Sequence, residues 1–220
     1  MGLDRTSVEL IEKTVDSIER SIVAVIRDAN QADKQALLTH WAPKLRAGPR
    51  RWLDRLWNWD ELDNPTELAC KEKPRWLVLA AEDGELFGTL VISGPIALRE
   101  LVPGASSEPY LWIEYLAIAP SIRRDCPPAD VRAHRVVPVG VRLMQVVIEL
   151  SVERGAGGRV ALHAEGDIAI DTYKKWEMRR LPERARHPSD GELYWVFVGD
   201  EDWAQTFSQA ATSGVKEGSR

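Results

Sequence analysis

Between Tyr110 and Pro120 the sequence reads Tyr-Leu-Trp-Ile-Glu-Tyr-Leu-Ala-Ile-Ala-Pro, with one acidic residue, Glu114, set among apolar ones. Aromatic and β-branched residues at this density predict a strand over 110–118. A long polar connection follows, residues 119–134, rich in Pro and Arg. Connections of this length are more often functional or mobile than plain links. Then Val137 to Arg154 carries the spacing of a long amphipathic helix. A strand, a loop and a helix start in succession favour an anionic ligand, because free backbone N–H groups and the helix dipole point there. Gly155-Ala-Gly-Gly158 follows a helix instead of opening one. It therefore predicts a helix cap and turn in preference to a phosphate loop.

Upstream and downstream elements complete the order. Trp76–Ala81 and Leu86–Ser93 predict a hairpin joined through Asp83-Gly84. Arg159–Ala164 predicts a strand, 167–178 a helix and Glu192–Val198 a closing strand. Val8, Ile11, Val15 and Ile18 recur at helical steps, so 6–20 predicts a helix, with a short intersubunit seam and a homodimer as one use for it. Ile22–Arg27 predicts a strand, and Asp28–Asp33 a turn and cap into a helix over 31–45. Residues 49–62 predict a helix carrying Trp52, Trp57 and Trp59. Nine tryptophans is a high count, and these serve either as helix anchors on a sheet or as walls of an acceptor pocket. Residues 204–220 are small and polar and predict a frayed end. The fold class expected is mixed α/β (α+β), a mostly antiparallel central sheet flanked by helices. The expected division is an N-terminal helical appendage (1–21), one domain (22–200) and a flexible C-terminal tail (201–220).

Composition narrows the function. A chain of 220 residues with 44% hydrophobic and 29% charged residues can build a sizeable core. A net charge of −5 argues against bulk nucleic-acid binding, which needs a basic face. Two cysteines, Cys70 and Cys126, give no disulfide framework and no metal-ligand spacing, so a cytoplasmic protein without a metal is expected. No apolar run reaches membrane-spanning length.

Over about residues 22–198, and most closely over 110–181, the chain resembles the GCN5-related N-acetyltransferase (GNAT) family. Glu114-Tyr-Leu-Ala-Ile-Ala-Pro120 is similar to the end of that family's fourth strand. Arg135-Val-Val-Pro-Val-Gly140 aligns with its pyrophosphate loop, and Ala169–Met178 with its fourth helix around Tyr173. Pro138 and Gly166 depart from the family pattern, as does Glu177 in the place of a glycine. The resemblance implies a GNAT-like acyl-CoA N-acyltransferase fold and transfer of acetyl from acetyl-CoA to an amine acceptor. It implies that the backbone of Leu116, Ala117 and Ile118 lines the pantetheine. Arg135 and the amides of Val136, Val137, Val139, Gly140 and Val141 would hold the pyrophosphate. Glu114 would be the base, directly or through water, and Tyr173 the acid for the leaving thiolate. Read without the family, Glu114 serves equally as an ion-pair partner and Tyr173 as a core tyrosine. His134 and His163 are expected to be structural or solvated. The basic run Lys174–Arg186 is expected to be mostly a solvated face, with the adenosine 3′-phosphate as its alternative partner. A non-catalytic acyl-CoA-binding module and a helical scaffold are the competing readings.

Overall fold

The computed structural model describes residues 6–13, 19–48, 59, 74–122, 135–164, 166–186 and 193–212. In chain order its main elements are β1 (Thr6–Lys13), β2 (Glu19–Asp28), α1 (Gln31–Ala36) and α2 (Ala42–Ala47). Then come β3 (Arg75–Ala81), β4 (Leu86–Ala97), β5 (Pro109–Ile118), β6 (Arg135–Val137) and α3 (Val139–Glu153). The last are β7 (Val160–Ala164), α4 (Gly166–Lys175), β8 (Arg179–Arg186), β9 (Leu193–Gly199) and α5 (Glu201–Thr212). These divide into two compact units, and β4, β5 and α3 each contribute to both.

In the first unit the strand order is β6-β1-β2-β3-β4-β5, with β4 and β5 represented by residues 86–90 and 115–118. β1 pairs antiparallel with β2 from Thr6↔Ile26 to Lys13↔Glu19, and β2 pairs antiparallel with β3. This corrects the helix expected over 6–20. Val8 and Leu10 also fit a two-residue period, and Leu10 is fully buried while Ile11 is exposed. A non-local partner, β2, settles a segment whose local pattern suits both periods. β2 contains the expected strand 22–27. Asn30 caps α1: its side chain accepts from the Asp33 N–H, and the Asp33 carboxylate accepts from the Asn30 N–H. The helical run from Gln31 to Ala47 widens to a π turn over Leu37–Trp41, where the Ala42 N–H reaches back to the Leu37 carbonyl. Pro43 next in line has no N–H to offer an ordinary turn. Trp76 donates its indole N–H to Thr89 Oγ1 at 2.6 Å, and Thr89 donates to the Leu77 carbonyl, so two buried polar groups of β3 and β4 satisfy each other. The helix expected over 49–62 lies outside the described residues except for Trp59. That ring is buried edge-to-face against Trp41 at 6.4 Å, as the anchoring role expects.

In the second unit the order is β4-β5-β7-β9-β8, with β4 and β5 represented by residues 91–97 and 109–114. β5 and β7 are parallel, β7 and β9 antiparallel, and β8 and β9 antiparallel with a bulge between Arg180 and Arg184. Ile96, Leu98, Tyr110, Trp112, Ala161, Leu181, Val196 and Val198 belong to one buried cluster on this sheet. Strand β8 fell in the basic run expected as a solvated face. As an edge strand it tolerates its arginines and Pro182. Arg180 and Arg184 lie over the Trp195 ring at 4.3 and 4.7 Å, so these two cations are engaged by an aromatic face. Of residues 204–220, expected to fray, 204–212 belong to α5, and 213–220 lie outside the described residues. Trp203 of α5 covers Gly199 and donates its indole N–H to the Trp176 carbonyl at 2.6 Å.

Candidate active site

Each candidate residue has a definite place. Glu114 is on β5, buried, in the second unit, and Tyr173 is on α4 of the same unit. Leu116, Ala117 and Ile118 end β5 in the first unit. Arg135, Val136 and Val137 form β6, paired with Lys13, Glu12 and Ile11 of β1. They are therefore strand residues, and the helix begins two positions later than expected. Val139, Gly140 and Val141 open α3, after Pro138.

The start of α3 shows why three of these amides stand apart. The first N–H to bond inside the helix is that of Arg142, which donates to the Pro138 carbonyl at 3.0 Å. Pro138 is thus the residue before the first turn, where a missing N–H costs the helix nothing. Val139, Gly140 and Val141 occupy the first turn, whose N–H groups have no acceptor within an α-helix. Gly88 of β4 brings this turn close to β5. A Cβ at Gly88 would lie 2.7 Å from Leu143 Cδ1, 2.9 Å from Val139 Cγ1 and 3.6 Å from the Ala117 carbonyl oxygen. Glycine is required here by close approach of helix to strand. The Ala119 N–H donates to the Phe87 carbonyl at 2.9 Å, which fixes the end of β5 beside β4. Within the first unit, then, two of the three expected segments, 116–118 and 139–141, converge around one glycine.

On β5 the parallel register with β7 runs from Leu111↔Val160 to Ile113↔Leu162, and β5 continues from Glu114 to Ile118. Glu114 is two residues beyond Trp112, so by strand alternation the two share a face. Trp112 on that face belongs to the buried cluster with Ala161, Val196 and Val198. Tyr110, on the same face, has its phenol pushed up from its ordinary value, chiefly by burial. Tyr173 contacts Phe197 and Trp176, with ring centroids 5.6 and 5.8 Å away. Phe197 alternates with Val196 and Val198, so Tyr173 covers the opposite face of the sheet from Glu114. His163 packs edge-to-face on Trp112 at 4.7 Å and lies 5.9 Å from Tyr194. Sequence reading passed over His163 because its neighbour, Trp112, is fifty-one positions away in the chain and only strand pairing joins them.

Among the described residues no helix is long and apolar enough to cross a membrane, and no group of three or more His, Cys, Asp or Glu is placed to hold a metal ion.

No family model matches the sequence, and no curated protein matches it. Solved structures do. An uncharacterized protein from Bacillus halodurans is 10% identical, with 96% of this chain and 98% of that one covered and a TM-score of 0.58. An acetyltransferase of the GNAT family from Listeria monocytogenes is 12% identical, covering 81% and 95%, with a TM-score of 0.48. AtaTR, in a structure bound with AcCoA, is 15% identical over 83% and 96%, also with a TM-score of 0.48. Several of the similar structures are GNAT-family acetyltransferases, at low identity and moderate TM-score. It is in its fold, a mixed and mostly antiparallel sheet with flanking helices, that this chain is similar to GNAT-family acetyltransferases.

Proposed function

We propose that the protein is an acyl-CoA-dependent N-acyltransferase that moves an acetyl group from acetyl-CoA to a primary amine of a small molecule or protein. The observation that carries this reading is that, within the first unit, the end of β5 (116–118) and the first turn of α3 (139–141) converge around Gly88. The first turn of α3 adds N–H groups suited to a diphosphate. The AcCoA bound to AtaTR, a protein of similar fold, supports the same donor.

The chemistry follows from bond order and proton balance. The acceptor nitrogen attacks the thioester carbonyl carbon and a C–N bond forms. The carbonyl oxygen takes negative charge, for which a backbone N–H of 116–118 is the donor in this reading. Glu114 takes the proton that the nitrogen sheds. The C–S bond then breaks, and Tyr173 gives its phenolic proton to the departing thiolate before solvent restores it.

The test is thiol release from acetyl-CoA with a panel of amines. Wild type is expected to release thiol with at least one amine. Tyr173→Phe is expected to lower kcat by about tenfold or more with acetyl-CoA affinity nearly unchanged. A fully active Tyr173→Phe removes the acid role. CoA stabilisation with no turnover on any amine supports the non-catalytic binder instead.

A further inference from the structure

On β8 and β9 two guanidiniums converge on one ring. Arg180 pairs with Phe197 and Arg184 with Trp195, on either side of the bulge in β8. Four residues of regular strand would set the arginines about 13 Å apart. The bulge matches those four steps to two on β9 and so brings both arginines to Trp195. Their guanidinium carbons lie 4.3 and 4.7 Å from its ring centroid. Both arginines are exposed and the ring is half-buried. Among the described residues neither guanidinium has a carboxylate partner. Charge alone would protect a sheet edge, and protection needs no shared platform. An indole face holds a guanidinium and leaves its N–H edge for another acceptor. Two like charges gathered on one ring repel, and an oxyanion between them removes that repulsion. The place is informative too. Phe197, the strand partner of Arg180, packs against Tyr173 at 5.6 Å. Paired residues share a sheet face, so both arginines lie on the face that Tyr173 covers.

We propose that Arg180 and Arg184, set on Trp195, bind an oxyanion of the acceptor, so that the acceptor is a small amine carrying a carboxylate or a phosphate. The anion site stands on the contacts of β8 and β9, while its use in choosing the acceptor rests on the acyltransferase reading above. In that reading Tyr173 meets the leaving sulfur. The phosphates of CoA lie at the far end of the molecule from its sulfur, so an anion held beside Tyr173 belongs to the other reactant. Planar guanidiniums suit both anions, since each presents paired N–H groups to paired oxygens. The two arginines select the acceptor and take no part in the bond changes.

Two measurements decide it. Thiol release from acetyl-CoA is followed at fixed ionic strength with matched amines, ethanolamine against phosphoethanolamine and butylamine against γ-aminobutyrate. Wild type is expected to favour one anionic member by about tenfold to hundredfold in kcat/KM. Arg180→Gln and Arg184→Gln are each expected to lose most of that preference through KM for the acceptor. Equal use of both members of each pair overturns the acceptor class. So does a rise confined to KM for acetyl-CoA and absent with the dephospho-CoA thioester, which gives the arginines to the donor. Binding is read without turnover from the Trp195 indole N–H by NMR, assigned among nine tryptophans with Trp195→Phe. Saturable movement with phosphoethanolamine or γ-aminobutyrate, lost in Arg184→Gln, is expected. No movement with either probe overturns the anion site. If wild type releases no thiol with any amine, the acyltransferase reading falls, and the NMR titration still decides the anion site.

Discussion

At the scale of single residues, Glu177 has the most expensive backbone among the described residues. It is the non-glycine residue with positive φ, at 58°. Its position explains why. Met178 N–H donates to the Tyr173 carbonyl at 3.0 Å and Glu177 N–H to the Lys174 carbonyl at 2.9 Å, which closes α4 with a left-handed residue at its end. α3 ends the same way, with Ala156 N–H on the Ser151 carbonyl and Gly155, φ 78°, in the left-handed place. Glycine takes that conformation without a Cβ penalty, whereas glutamate does not. Glu177→Gly should therefore stabilise the protein by up to about 1 kcal/mol, the strain relieved being partly offset by a freer unfolded chain. Urea denaturation measures it, and an equal or lower midpoint at unchanged slope contradicts the strain. The family pattern already showed glutamate in a glycine's place. The angle that makes it costly came from the helix end.

Among elements, α1 illustrates a local signal that carried through. Asn30 and Asp33 form a reciprocal cap, and the Arg27 guanidinium of β2 joins the same carboxylate, with Nη2 2.9 Å from Oδ1. Burial works against the Asp33 charge, but the bonds from Arg27 and from the Asn30 N–H outweigh it and hold the carboxyl below its ordinary value. A lowered folded pKa means that the stabilisation is fully present above the ordinary carboxylate range. It is lost as pH falls through the lowered value. Asp33→Asn should then be less stable than wild type by about 1–2 kcal/mol at pH 7, with the gap closing in acid. Thermal unfolding of both proteins from pH 7 to pH 2 checks this, and a gap independent of pH would count against it. β1 and β8 illustrate the opposite case. Their sequences carry a helical spacing and a run of arginines respectively, and each became a strand because a neighbour, β2 or β9, supplied the ladder. Propensity is a weak guide wherever the partner is distant.

For the molecule as a whole, the acyl-CoA reading makes a prediction that needs no acceptor. CoA at about one hundred times its Kd should add about 2.7 kcal/mol to stability, and so raise Tm by roughly 5–10 °C for a chain of this length. Pro138→Gly should keep or enlarge that shift. It adds an N–H just ahead of Val139, and the Pro138 carbonyl that accepts from Arg142 is retained in glycine. No shift in wild type speaks against CoA binding, and a clearly smaller shift in a folded Pro138→Gly shows that the diphosphate lies elsewhere. The hairpin around Asp83-Gly84, the strand at 110–118 and the helix after Pro138 were all legible, because each rests on residues close in sequence. Glu114 and Tyr173 were legible as candidates through the pattern they share with a family. Their opposite faces, and the packing of His163 on Trp112, were not.

What the sequence determined by itself is the set of local choices: where glycine and proline break the chain, which runs are apolar enough to be strands, how α1 begins and how α3 ends. These depend on interactions between residues a few positions apart, and their energies are readable from residue type. Tertiary structure alone decided the non-local pairings. It made β1 a strand instead of a helix, turned Arg135–Val137 into a partner for β1, laid Arg180 and Arg184 on Trp195, and set His163 against Trp112. Those outcomes depend on which distant segment supplies hydrogen bonds and burial, and in a sheet a shift of one residue would send each side chain to the other face.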